Sequence, residues 1–210
     1  MAHIIDTIRN QTIYGAVEQL LEAHTDLLSA INNSNTFTNA TLHWGIQTKR
    51  LSVDLSSVSS PLIKKESEKF VELINILATV ERTIDALNWC ARRYPDLQVD
   101  QCHPATSDDP EGNDIVLVDN NGATKVRIEV CDVASSRAGQ NGKEKSDLSN
   151  LGCSVSVPND GVERFIATSE EFASALNSVK RKWKNLHYRY EFDSVADTTT
   201  IMLQVQVNKI

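Results

Sequence analysis

Asn113-Asp114-Ile115-Val116-Leu117-Val118-Asp119-Asn120-Asn121-Gly122-Ala123-Thr124-Lys125-Val126-Arg127-Ile128-Glu129-Val130-Cys131 is the stretch whose reading decides the fold. Its middle, Asp119-Asn120-Asn121-Gly122, signals a tight turn, because Asn and Gly adopt positive φ at little cost. The run before it, Ile115 to Val118, is densely apolar. The run after it, Lys125 to Val130, alternates polar with apolar as a half-buried strand does. Two antiparallel strands are predicted. Counting outward from Asn120-Asn121 puts Asp114, at the start of the first, roughly opposite Arg127 to Glu129 near the end of the second, so two carboxylates converge.

Upstream, Tyr94-Pro95-Asp96 is a stop, since Pro95 lacks an amide proton and disfavours helical geometry in the residue before it. It closes a helix predicted from about Lys64 to Arg93, striped by Phe70, Leu73, Ile74, Leu77, Val80, Ile84, Leu87 and Ala91. Between stop and hairpin, Leu97-Gln98-Val99 is a short strand. At the N-terminus, apolar residues from Ile4 through Ile8, Ile13, Val17, Leu20 and Leu27 to Ile31 recur near a helical period and predict one long amphipathic helix, ended by Asn32-Asn33-Ser34-Asn35. The polar connector Thr36 to Pro61 holds a short alternating piece, Leu51 to Leu55. The expected organisation is a helical N-terminal region over residues 1–60 and an α/β domain over 61–210.

Downstream, a polar piece from Ala134 to Gly142 leads into a short helix around Lys143 to Leu148, ended near Gly152. Glu163 to Ala167 reads as a strand. Ser169, followed by Glu170 and Glu171, caps a further helix, because a hydroxyl and acids suit a helix N-terminus. His187 to Phe192 and Thr199 to Val207 form a terminal hairpin.

Composition narrows the function. Lys and Arg number 21 against 28 Asp and Glu, a net charge of −7 that argues against a general electrostatic grip on a polyphosphate. The local exception is Lys180-Arg181-Lys182-Trp183-Lys184, followed by His187, Tyr188, Arg189 and Tyr190. This patch suits phosphates and bases, or equally a solvated helix end. No apolar run approaches the roughly 20 residues a membrane helix needs, and the first residues lack a signal-peptide layout, so a cytoplasmic protein without a membrane partner is expected. Cys90, Cys102, Cys131 and Cys153 form no CxxC pair and read as structural thiols. Cys102 and His103, neighbours on an extended segment, point to opposite sides and make no joint metal site. Nucleotide-binding glycine loops, a nucleophile elbow and an HExxH helix are all absent from the sequence.

Gly112-Asn113-Asp114-Ile115-Val116-Leu117-Val118 followed by Val126-Arg127-Ile128-Glu129-Val130-Cys131 resembles the PD-(D/E)xK nuclease superfamily, over about Lys64 to Val179. The resemblance implies a restriction-endonuclease-like mixed sheet flanked by helices and Mg²⁺-dependent hydrolysis of DNA phosphodiesters. It assigns metal binding to Asp114 and Glu129. Glu81 on the preceding helix is either a further metal ligand or a solvated flank. The family's Lys falls at Cys131, which carries no cation. Either the basic group has moved to Lys143 or Lys145 on the following segment, or the site has decayed and the fold serves as a catalytically inactive DNA-binding or protein-interaction module. The long N-terminal helix must bury its stripe somewhere, in a homo-oligomer or on the chain's own core.

Overall fold

The computed structural model describes residues 4–34, 51–104, 113–131, 150–153, 158–173 and 188–207. Its first element corrects the single helix expected from Ile4 to Ile31: Ile8–Thr12 form strand β1, and helix α1 spans Ile13–Asn33. The switch is Thr12, whose backbone is extended and whose Oγ1 accepts the Gly15 amide at 3.0 Å. That cap satisfies an amide that the helix start leaves unpaired.

The alternating piece in the connector becomes β2 (Ser52–Asp54), which pairs antiparallel with β3 (Ser67–Lys69) in a small separate sheet. This pairing delays the next helix, α2, to Phe70–Arg93, later than the Lys64 start expected. Arg92 and Arg93 occupy its last turn, where cations suit the helix dipole, and the chain leaves helical geometry at Tyr94, ahead of Pro95.

The remaining strands are β4 (Gln98–Cys102), β5 (Ile115–Val118), β6 (Thr124–Cys131), β7 (Glu163–Ser169), β8 (Tyr188–Ser194) and β9 (Thr200–Val207). With β1 they make a seven-stranded sheet in the order β1-β4-β5-β6-β7-β9-β8. Neighbours are antiparallel except β6 and β7, which run parallel. The central turn forms as its residues dictate: Gly122 takes a φ of 76°, and Asp119 Oδ1 accepts the amides of Asn121 and Ala123 at 2.9 and 3.0 Å. Those amides, Ala123's first, hold the Asp119 carboxyl below the usual range.

Strand alternation divides the side chains between two faces. Cys102, Ile115, Leu117, Val126, Ile128, Val130 and Phe165 join the main core with Leu20 and Leu27 of α1 and Leu73 and Leu87 of α2. Residues on both sides of the expected 60/61 boundary therefore share one apolar cluster. The α1 stripe is buried inside it, through Ile13, Ala16, Val17, Leu20, Ala23, Leu27 and Ala30. The opposite face carries a smaller cluster with Cys131, Leu151, Cys153, Ile166, Phe172 and Leu203.

Polar contacts tie α2 to the terminal hairpin. Trp89 Nε1 donates to Asp193 at 2.8 Å, and Thr200 Oγ1 donates to Asp85 at 2.6 Å while accepting from Arg82 at 3.3 Å. All four cysteines are free and buried, and burial pushes the thiols of Cys90 and Cys102 well up, which suits structural thiols. No helix among the described residues is long and apolar enough to cross a membrane.

Candidate active site at the open end of the central hairpin

The β5–β6 ladder pairs Ile115 with Ile128. Continued one residue beyond that last ladder pair, the register puts Asp114 across from Glu129, at positions that share a face. The row extends in both directions. The His103 amide donates to the Asp114 carbonyl at 2.7 Å, and Glu129 pairs with Ile166 of β7. His103 Nδ1 lies 2.7 Å from Thr7 Oγ1. Because Ile115 and Ile128 belong to the core under α1 and α2, the row beyond them faces the other side, where Ile166 belongs to the smaller cluster.

Side chains close the ladder where the strands separate. Asp114 Oδ2 accepts the Val130 amide at 2.6 Å and so takes a donor that main chain would otherwise satisfy. Glu129 is only 2% exposed. Its Oε1 accepts from Asn113 Nδ2 at 2.9 Å and its Oε2 from Asn150 Nδ2 at 3.3 Å. Asn113 Nδ2 also donates to the Asn150 carbonyl at 2.9 Å. Next along, Leu151 is anchored through its carbonyl, which accepts from Arg164 Nε of β7 at 2.8 Å. Arg164 is itself 3% exposed and pairs with Asp160 at 2.7 Å. The Arg164 guanidinium holds the Asp160 carboxyl down to about 2.

The fold thus brings Asp114 and Glu129 to one end of one strand pair. Glu81 is placed elsewhere: on α2, its Oε1 lies 2.9 Å from His24 Nε2 of α1, in the helical layer on the other face of the sheet. Lys143, Lys145 and the basic patch Lys180 to Lys184 lie outside the described residues. Cys131, at the family's Lys position, is fully buried in the smaller apolar cluster. Among the described residues no group of three His, Cys, Asp or Glu side chains is arranged to hold a metal ion. A cavity of about 380 Å³ lined by Arg93, Tyr94, Lys125 and Glu163 lies where β6 and β7 begin, at the other end of these strands from Glu129.

Sequence reasoning passed over Asn113, Asn150 and Arg164 as site residues, and weighed His103 only as a metal partner of Cys102. Only Asn113 carried a local signal, its place beside Asp114. No family model, curated protein or solved structure matches the chain.

Proposed function

We propose that the chain is a Mg²⁺-dependent DNA endonuclease with a restriction-endonuclease-like fold, in which Asp114 and Glu129 hold the ion. The observation that carries this reading is the register that sets the two acids opposite each other at the open end of β5 and β6. The sheet supports it: after the long helix come three antiparallel strands and then a strand parallel to the third, a mixed sheet of the kind the PD-(D/E)xK resemblance implies.

The donor set suits a hard cation. Mg²⁺ is commonly held by one or two carboxylates and several waters, so a pair of acids suffices in number. When bound, Mg²⁺ supplies neutralisation of phosphate charge and a more acidic water. The chain's own part is to present Asp114 braced on the Val130 amide and Glu129 braced by two amides. A cation for developing charge would come from Lys143 or Lys145, and DNA contacts from the Lys180 to Lys184 patch.

A second reading is a catalytically inactive nuclease-like module that binds DNA or a protein partner. Cys131 favours it, since a buried thiol among Ile166, Leu203 and Phe172 replaces the family's cation and leaves no place for one at that position.

Incubation of supercoiled plasmid with the protein and Mg²⁺ or Mn²⁺, beside Asp114→Ala and Glu129→Ala, separates the two. The nuclease reading expects nicking by the parent and background levels for both variants. Absence of cleavage with retained gel retardation of DNA supports the binding module, and absence of both points to a protein partner.

A further inference from the structure

We propose, resting on the DNA reading above in either of its forms, that Arg127 binds a backbone phosphate on the face of the sheet opposite the helices. Strand alternation fixes the side. Val126 and Ile128 belong to the core under α1 and α2, so Arg127 between them turns the other way. Its Nε is enclosed by protein and has no hydrogen-bond partner among the described residues, while the residue as a whole is partly exposed. A buried donor without an acceptor is costly and rare in folded proteins. A guanidinium whose inner nitrogen is held in that way and whose end reaches solvent is suited to fork onto a phosphate.

The pairing across the sheet gives Arg127 company. Arg9 of β1 sits opposite Gln101, Gln101 opposite Val116, Val116 opposite Arg127, and Arg127 beside Arg164 of β7. Each adjoins a residue of the main core, namely Ile8, Cys102, Ile115, Ile128 and Phe165, and so faces away from it. Neighbouring strands lie about 4.8 Å apart, which puts three arginines in one line across a single face. Asp160 matches Arg164, accepting from Nη1 at 2.9 Å and from Nη2 at 2.7 Å. Arg9 Nη1 reaches only the neutral Gln101 Oε1, at 3.5 Å. Neither Arg9 nor Arg127 forms an ion pair among the described residues. In a chain of net charge −7, such a row is a local attraction for a polyanion that the rest of the surface repels.

The test is fluorescence anisotropy of a labelled DNA duplex titrated with the full chain at several salt concentrations, in EDTA and in parallel in Ca²⁺. Folded fractions are matched by circular dichroism, and variants are compared in whichever condition the parent binds. Arg127→Gln is expected to weaken binding roughly tenfold at about 0.1 M salt, evenly across unrelated sequences, and to lower the slope of log affinity against log salt by about 1, the share of one phosphate contact. Arg127→Lys keeps the charge and loses the buried Nε donor, so it should keep the slope and bind more weakly than the parent. Lys65→Gln removes a cation paired with Glu68 beside the small separate sheet and should bind as the parent does. Parental affinity and slope in Arg127→Gln, with the parent binding, overturn the proposal and leave the DNA reading standing. An equal loss in Lys65→Gln overturns it too, since net charge alone would then govern binding. A parent that binds the duplex in neither condition overturns both proposal and reading. If Arg127→Gln does not fold, Arg127→Lys decides, and parental affinity there is the overturning result.

Discussion

Under α1 and α2 the centre of the sheet offers Cys102, Ile115, Leu117, Val126, Ile128, Val130 and Phe165, an apolar patch. On the other face the same strands present Glu129, Arg164 and Thr168, all buried, beside Cys131, Ile166 and Leu203. Alternation along each strand makes both faces at once. The first is apolar at its centre and buries its polar groups at the β9 end, where Thr200 meets Arg82 and Asp85, while the second buries charged groups on the central strands themselves, each needing its own partners. Departures of that kind from local rules concentrate at functional sites, which is why the second face carries the proposed chemistry.

Substitutions on the two faces should therefore part company. The largest effect is expected from Leu87→Ala in the main core, about 2–5 kcal/mol of stability by urea denaturation. The Mn²⁺ affinity of the folded fraction should not change, and a matching loss of affinity would erase the distinction between the faces. Arg164→Met should cost about 1–3 kcal/mol, because the buried Leu151 carbonyl loses its donor. Here Mn²⁺ binding should weaken as well, since Asn150 is the next residue along. Retained affinity would detach the 150–153 segment from the site.

The smallest effect is expected in acid. The Asp160 carboxyl is held down to about 2 in the folded chain, against an ordinary value of 3.8, chiefly by Arg164. A carboxylate depressed on folding stabilises above its unfolded value and loses that contribution as the pH falls through the folded one. Stability should thus decline between about pH 4 and pH 2, and Asp160→Asn should flatten this limb of the denaturation profile. Asp160 is nearly half exposed, so solvent keeps the effect modest. An unaltered limb would mean that other carboxylates govern it.

What was legible in the sequence follows the range of the forces involved. The central hairpin, the strand at Glu163 and the terminal hairpin rest on turn chemistry and alternation within a few residues, and each formed where expected. The N-terminal helix was overextended because Ile4, Ile8 and Ile13 fit a helical spacing. Long-range pairing with β4, whose partners lie some ninety positions away, claims residues 8–12 for the sheet instead. Thr12 carried the missed boundary, as an N-cap hydroxyl ahead of the helix. Within the site, Asp114 and Glu129 were legible because a tight turn pairs residues by counting. Asn150 was not, since it reaches Glu129 from 21 positions along the chain, and neither was the attraction of Glu81 to His24 across 57.

Strand β1 forms one rim of the sheet, and a rim offers its outward amides and carbonyls to any extended chain that docks beside it. Asn10 breaks that offer. Its φ of 51° twists the backbone out of line, and the pairing with β4 resumes only beyond it, from Arg9 to Gln11. Only a pair of residues on either side keeps regular geometry, too short a template for a foreign strand to extend. A single left-handed asparagine thereby shortens the regular edge that this strand presents.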